Sequence, residues 1–142
     1  MSTLPQASRP ATTSSLARYR YWILAALAGF WVLIFIATHL PELPNAVEMI
    51  PDKLAHATAY LGLSFLMSLA AASTGQLNVR GSSIVLGIAA LYGTFDELLQ
   101  IPCGRDAEYG DWIADVCGAL VGLTACLLLR SIYRAVRPSG QS

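Results

Sequence analysis

The residues of this sequence best suited to chemistry begin with Asp52, His56 and Tyr60, which are spaced four residues apart. On a helix, this spacing places the three side chains on one face. A histidine near a carboxylate can act in general acid/base catalysis, and the ammonium group of Lys53 can bind an anion. Each residue also has an ordinary structural interpretation: Asp52 caps a helix, Lys53 reaches the lipid headgroups and His56 is hydrogen-bonded in a core.

A second polar group, Asp96, Glu97 and Gln100, lies at the end of an apolar run at about 83–100. Adjacent carboxylates near a membrane are costly unless they are paired or solvated. Arg105 follows closely in the sequence, and its planar guanidinium can bind a carboxylate or a phosphate through two parallel hydrogen bonds. The alternative is an ion pair between Arg105 and Glu97 that only closes a helix bundle.

A third polar group opens the last apolar run, where Asp111 and Asp115 are four residues apart and share a helix face. Their negative charge is favoured near a helix N-terminus. Gly118 and Gly122 continue close to this face as a GxxxG pattern, which allows a neighbouring helix to approach closely.

These polar groups predict a single site, because ionisable residues inside membrane segments mark functional sites by default. If the site catalyses a reaction, we expect the catalytic residues to be His56, Glu97 and Asp111. The other members are predicted to bind a ligand: Asp52, Lys53, Tyr60, Asp96, Gln100, Arg105 and Asp115.

Four apolar runs position these groups, at about 21–40, 54–72, 83–100 and 111–129. Each run is long enough for a helix to cross a bilayer, and each is apolar nearly all round. The composition agrees, because 55% of the 142 residues are hydrophobic and only 13% are charged. We therefore predict an all-α, four-helix transmembrane bundle over residues 21–132, with a disordered cytoplasmic tail at 1–20 and a cytoplasmic tail at 133–142. A cleavable signal peptide is the alternative for the first run, but its apolar core would be shorter.

Charge is distributed asymmetrically between the two ends of the predicted bundle. Seven arginines belong to the termini and to the link between the second and third runs, whereas Lys53 and Arg105 lie on the opposite side. Positive residues mark the cytoplasmic side of a membrane protein, so both termini are predicted to be cytoplasmic. The polar site is then predicted to face the periplasm or the cell exterior. All the acidic residues lie in or beside the two outer connections: Glu42, Glu48, Asp52, Asp96, Glu97, Asp106, Glu108, Asp111 and Asp115.

The motifs DKLAH with the later tyrosine, DELLQ, the arginine of PCGR, and DWIADVCGALVG resemble those of the VanZ-like family of small bacterial membrane proteins. The resemblance covers roughly residues 52–122, in the family's order, and implies four spans in the bacterial cytoplasmic (inner) membrane. Asp115 departs from the family's pattern, which often has asparagine there, and the added carboxyl favours either a cation in the site or protonation of Asp115. Family positions are implied for Asp52, Lys53, His56, Tyr60, Glu97, Gln100, Arg105 and Asp111.

The VanZ-like family is named for an accessory protein in resistance to the glycopeptide antibiotic teicoplanin, so the resemblance implies a role at the cell envelope. We expect the site to bind the anionic headgroup of an envelope lipid or cell-wall precursor, such as a polyprenyl phosphate. Lys53 and Arg105 would hold the phosphate. His56, with Asp52 or Glu97, would act in acid/base catalysis if turnover occurs.

Two other functions fit the same residues. One is a non-enzymatic scaffold or partner subunit, in which the polar cluster only orders the outer loops. The other is a metal-assisted hydrolase or transferase, although the sequence has no HExxH or CxxC spacing and no metal ligands are assigned. The expected surroundings are membrane lipids, no nucleic-acid partner is expected, and no particular cofactor or oligomeric state is indicated. The cysteines are predicted to be free thiols: Cys103, Cys117 and Cys126.

Overall fold

The computed structural model describes residues 16–39, 51–100 and 108–136, apart from the side chains of His39 and Gln100. A short 3-10 helix, Ala17–Tyr19, leads directly into the first of four α-helices. The described residues contain no strand, so the prediction of an all-α fold is confirmed. The α-helices are α1 (Arg20–His39), α2 (Asp52–Ser73), α3 (Val79–Gln100) and α4 (Tyr109–Val136).

All four helices are long and apolar enough to cross a membrane. Large apolar side chains cover the outside of the bundle, including Trp22, Leu91 and Val136, each at least 73% exposed. Such a surface is unfavourable in water and suits contact with lipid. The chain therefore has the architecture of a multi-pass membrane protein, while the orientation with both termini in the cytoplasm stays a prediction.

Helix α4 continues to Val136, beyond the predicted end of the fourth apolar run at residue 129. The apolar run marks the segment that crosses lipid, whereas a helix ends only where its backbone conformation changes. Arg130 and Arg134 are compatible with a helix, and the next proline in the sequence is Pro138. Arg130 Nη1 donates a hydrogen bond of 2.8 Å to the carbonyl of Leu77, which ties this extension to the link between α2 and α3.

Helices α2 and α4 form the most extensive pair in the bundle. A Cβ atom added at Gly118 would lie 2.1 Å from the Ala57 carbonyl oxygen, and one at Gly122 would lie 2.2 Å from that of Leu61. Only glycine fits at these two positions, so the GxxxG pattern brings α4 directly against the backbone of α2. Ser64 Oγ adds a buried hydrogen bond of 2.7 Å to the carbonyl of Ala119.

The link between α2 and α3 reverses the chain in a few residues. The N–H of Gln76 donates to Ala71 and that of Gly75 to Ala72, which is a Schellman motif, and Gly75 has the positive φ of 76° that this motif requires. The Asn78 side chain then accepts a hydrogen bond of 2.9 Å from the N–H of Gly81 at the start of α3. This compact turn places the C-terminal end of α3 beside the N-terminal ends of α2 and α4.

Candidate functional site

A buried histidine–carboxylate pair joins α2 to α4. His56 Nδ1 lies 2.9 Å from Asp115 Oδ1, and the two residues are 5% and 0% exposed. An ionised carboxylate can only accept hydrogen bonds, so in that state of Asp115 the Nδ1–H of His56 donates and Nε2 is left as an acceptor. The close approach of α2 and α4 at Gly118, one turn below Asp115, makes this short distance possible.

Glu97 brings α3 to the same place. Its Oε1 atom lies 4.0 Å from His56 Nδ1, and its Oε2 atom accepts a hydrogen bond of 3.0 Å from the backbone N–H of Glu108. The second contact holds Glu97 against the beginning of α4. His56, Glu97 and Asp115 therefore form a buried triad with one residue from each of three helices, which we call the inner triad.

Two oxygen atoms of the inner triad have no hydrogen-bond partner among the described residues: Glu97 Oε1 and Asp115 Oδ2. Asp115 Oδ2 faces α3, where a Cβ atom at Gly93 would lie 2.8 Å from it. Because Gly93 and Glu97 are four residues apart, they share a face of α3. The missing side chain at Gly93 thus provides the space that the Asp115 carboxylate occupies below Glu97.

Lys53 lies at the mouth of the site, nearer the end of the bundle. Its ammonium group is 2.6 Å from Glu108 Oε2 and 3.4 Å from Asp111 Oδ1. The side chains of Lys53 and Glu108 are each 58% exposed, whereas Asp111 is buried. An exposed pair of this kind adds little stability and can rearrange, so Lys53 can exchange Glu108 for an anionic ligand.

Tyr60 and Asp96 are buried beside the inner triad. Tyr60 is one turn below His56 on α2, is 1% exposed, and packs against the ring of Tyr92 with the centroids 6.0 Å apart. Its hydroxyl has no hydrogen-bond partner in the described part of the chain. Asp96 is also buried, and its Oδ1 accepts a hydrogen bond of 3.0 Å from Thr38 Oγ1, which links α3 to α1.

Some predicted members of the site differ from expectation in position or lie outside the described residues. Asp52 is exposed at the first position of α2, and Pro51 rather than Asp52 occupies the N-cap position. The sequence suggested Asp52 or Glu97 as the partner of His56, whereas the direct contact is with Asp115. Arg105 and the Gln100 side chain lie outside the described residues, so the predicted pair of Arg105 with Glu97 stays a prediction.

Three residues that contribute to the site were not predicted from the sequence. Glu108 contacts both Lys53 and Glu97, and its position three residues before Asp111 in an acid-rich connection was the available signal. Thr38 lies at the end of the first span nearest the site, where a hydroxyl is a weak signal. Nothing in the sequence identifies Gly93 as part of the site, because its importance depends on which face of α3 contacts α4.

The histidine and the carboxylates could also hold a metal ion. The ligand atoms of His56, Glu97 and Asp115 all lie within 4.8 Å of one another, and those of Asp52, His56 and Asp111 meet the same limit. Imidazole nitrogen and carboxylate oxygen together suit Zn²⁺ and related divalent cations. The first group is fully buried, whereas the second includes the exposed Asp52.

A separate cleft of about 580 Å³ opens at the opposite end of the bundle, between α1, α2 and α3. Its lining is largely apolar and includes Trp31, Met67 and Ile84, with Arg80 at the edge. None of the inner triad lines this cleft. This cleft and the buried polar residues are therefore in different places, and the chemistry of the polar residues indicates the site.

Comparisons with protein-family models, curated proteins and solved structures found no match. The resemblance to the VanZ-like family stays a prediction from the sequence motifs.

Proposed function

We propose that this chain is a VanZ-like protein of the bacterial cytoplasmic membrane that binds the polar headgroup of an envelope lipid at its extracytoplasmic end. The proposal depends mainly on one observation: the buried pair of His56 and Asp115 lies directly below a lysine at the end of a bundle with an apolar outer surface. Buried ionisable groups are costly in a membrane domain and are retained chiefly where they have a function.

The position of Lys53 supports a ligand that arrives from the membrane. Lys53 is at the start of α2, so it lies at the depth where lipid headgroups meet the ends of transmembrane helices. A phosphate there can accept hydrogen bonds from the Lys53 ammonium group. Arg105, which lies outside the described residues, is proposed from the sequence as its second cationic partner. The lipid chains would remain in the bilayer against the apolar outer face of the helices.

The pair of His56 and Asp115 would allow the proposed site to transfer a proton. A carboxylate that accepts a hydrogen bond from Nδ1 fixes the orientation of the imidazole and leaves Nε2 to take or give a proton. His56 would then be the acid or base acting on a headgroup, and Asp115 would position it. Glu97, 4.0 Å from Nδ1, would stabilise the positive charge that develops on the ring.

The scaffold alternative receives less support from the packing. Gly118 and Gly122 form the motif most typical of helix association, and both contact α2 of the same chain. This surface is therefore used within the bundle and is not available to a partner helix.

Lipid binding can be measured on the purified full chain in nanodiscs that contain a defined amount of a polyprenyl phosphate. We expect Lys53→Ala and His56→Ala each to weaken binding by about tenfold or more, as expected for the loss of one charge-assisted contact. Arg80→Ala is the matched control, because it removes an exposed positive charge at the other end of the bundle. Equal binding by the wild type and all three variants would refute the proposal.

A further inference from the structure

When they are ionised, the buried carboxyl groups around His56 carry more negative charge than the described residues balance. Glu97, Asp111 and Asp115 are buried around a single histidine, and Lys53 contacts only Asp111 among them. Buried carboxylates without a compensating charge are unfavourable, and they would also repel the phosphate of an anionic headgroup. A positively charged occupant would remove both difficulties.

Two buried oxygen atoms support such an occupant. Glu97 Oε1 and Asp115 Oδ2 are buried atoms that lack a hydrogen-bond partner in the described part of the chain, although the other oxygen of each carboxylate has a polar contact. Buried polar atoms of this kind are uncommon in proteins and often mark a missing ion or water. Glu97 and Asp115 each offer a carboxylate oxygen that could bind a metal. These two oxygen atoms and a ring nitrogen of His56 all lie within 4.8 Å of one another.

We infer that His56, Glu97 and Asp115 bind one divalent cation of the Zn²⁺ type. Zn²⁺ binds imidazole nitrogen and carboxylate oxygen at about 2.0–2.2 Å, so tetrahedral ligands are separated by about 3.4 Å. The distances from His56 Nδ1 to Asp115 Oδ1 and to Glu97 Oε1, 2.9 and 4.0 Å, bracket this value. The two carboxylate ligand atoms lie within 4.8 Å of each other, so side-chain shifts of about 1 Å or less would complete the site.

Three protein ligands leave a fourth position open on the metal, which is the arrangement of catalytic zinc sites. The open position can hold water or a phosphate oxygen. When an ion is bound at Nδ1, His56 acts as a metal ligand and not as the acid or base proposed for the ion-free site. The inference otherwise deepens the proposed function, since a bound dication would allow an acid-rich site to attract an anionic headgroup. Metal binding itself does not rest on the proposed function and is measured without lipid ligand.

A second group of residues is also spaced to bind a metal ion but is a less favourable site. It consists of Asp52, His56 and Asp111. Asp52 is exposed, and Asp111 already accepts a hydrogen bond from Lys53. The two groups share His56, so the carboxylates distinguish them. Asp111→Asn therefore serves as a test of which group binds the ion.

The experiment measures Zn²⁺ binding to the tag-free full chain in detergent after chelator treatment, by titration with elemental analysis of the stoichiometry. We expect one Zn²⁺ per chain, and affinity about 100-fold lower in Glu97→Gln and in Asp115→Asn. Arg80→Gln is the control, because it changes an exposed charged side chain at the other end of the bundle and should alter affinity by less than about twofold. No binding by the wild type would overturn the inference, as would a loss of binding in Asp111→Asn with none in Glu97→Gln and Asp115→Asn.

Thermal unfolding separates a metal ligand from a residue that only supports the fold. Glu97→Gln removes a buried carboxylate with little change of shape, so the metal-free variant should unfold near the temperature of the metal-free wild type. Asp115→Asn should unfold at a somewhat lower temperature, because it weakens the contact with His56. Zn²⁺ should raise the unfolding temperature of the wild type and leave both variants unchanged. An equal rise in the wild type and both variants would overturn the inference. If Zn²⁺ binds as expected but polyprenyl phosphate does not, the metal site stands and the proposed function fails.

Discussion

At the scale of single residues, the site depends on a histidine held by a carboxylate from another helix. The partner of His56 could not be predicted from the sequence, because the rule of four-residue spacing relates side chains within one helix only. Asp52 satisfies that rule yet is exposed, while Asp115 is closest in space. Which carboxylate meets His56 is decided by the rotation of α4 against α2, and this depends on packing at Gly118 and Gly122.

Gly93 offers a test of how closely Asp115 is positioned. We expect Gly93→Ala to displace the Asp115 carboxylate, since the new Cβ atom would lie 2.8 Å from Oδ2 and 3.4 Å from Trp112 Cδ1. Binding of polyprenyl phosphate in nanodiscs should weaken by about tenfold, the size typical of a residue that supports a ligand indirectly.

Gly87→Ala is the matched control for this prediction. Gly87 is in the same helix and is exposed, and a Cβ atom there meets nothing within 4 Å. The substitution should leave binding unchanged. Equal binding by the Gly93→Ala and Gly87→Ala variants would show that the space beside Asp115 is unimportant.

At the scale of helices, the apolar runs predicted the four elements well, because length and apolarity are sufficient to mark a segment that crosses lipid. The GxxxG pattern also predicted a close helix contact, although not that α2 would be the partner. Helix ends were less predictable: α4 extends to Val136 because nothing before Pro138 stops it. The contact of Glu97 with the N–H of Glu108 could not be predicted at all, since it depends on how α3 and α4 meet.

The pair α2 and α4 is expected to be sensitive to one added methyl group. Gly118→Ala would place a Cβ atom 2.1 Å from the Ala57 carbonyl oxygen, so the helices must separate. We expect a loss of about 1–3 kcal/mol in the free energy of unfolding, measured by titration with a denaturing detergent.

Gly29→Ala in α1 provides the comparison, because a Cβ atom there has nothing within 4 Å. Its free energy of unfolding should be unchanged or raised by up to about 1 kcal/mol, since alanine favours a helix more than glycine does. Similar stability for the Gly118→Ala and Gly29→Ala chains would contradict the close packing of α2 on α4.

At the scale of the whole molecule, the charged residues are distributed unevenly along the axis of the bundle. The end with Lys53, His56, Glu97 and Asp111 is acidic, whereas Arg80, Arg130 and Arg134 lie at the other end. This asymmetry predicts that the acidic end faces away from the cytoplasm. A site there would meet lipids and precursors of the outer leaflet.

Labelling of single cysteines with a membrane-impermeant maleimide tests this orientation. In a chain with Cys103, Cys117 and Cys126 replaced by alanine, Glu108→Cys should be labelled in intact cells. Asn78→Cys, at the other end, should be labelled only after the membrane is opened. Both side chains are exposed in the described structure, so access from one side decides the result. The reverse pattern would place the site in the cytoplasm and exclude the proposed outer-leaflet ligand.

The joining of α2 and α4 by a buried polar pair is tested most directly by a double-mutant cycle between His56 and Asp115. The free energy of unfolding is measured for the wild type, His56→Ala, Asp115→Ala and the double variant. A cycle between His56 and Arg80, which lie at opposite ends of the bundle, gives the baseline. We predict a coupling energy above about 1 kcal/mol for His56 with Asp115. A coupling no larger than the baseline would contradict the site.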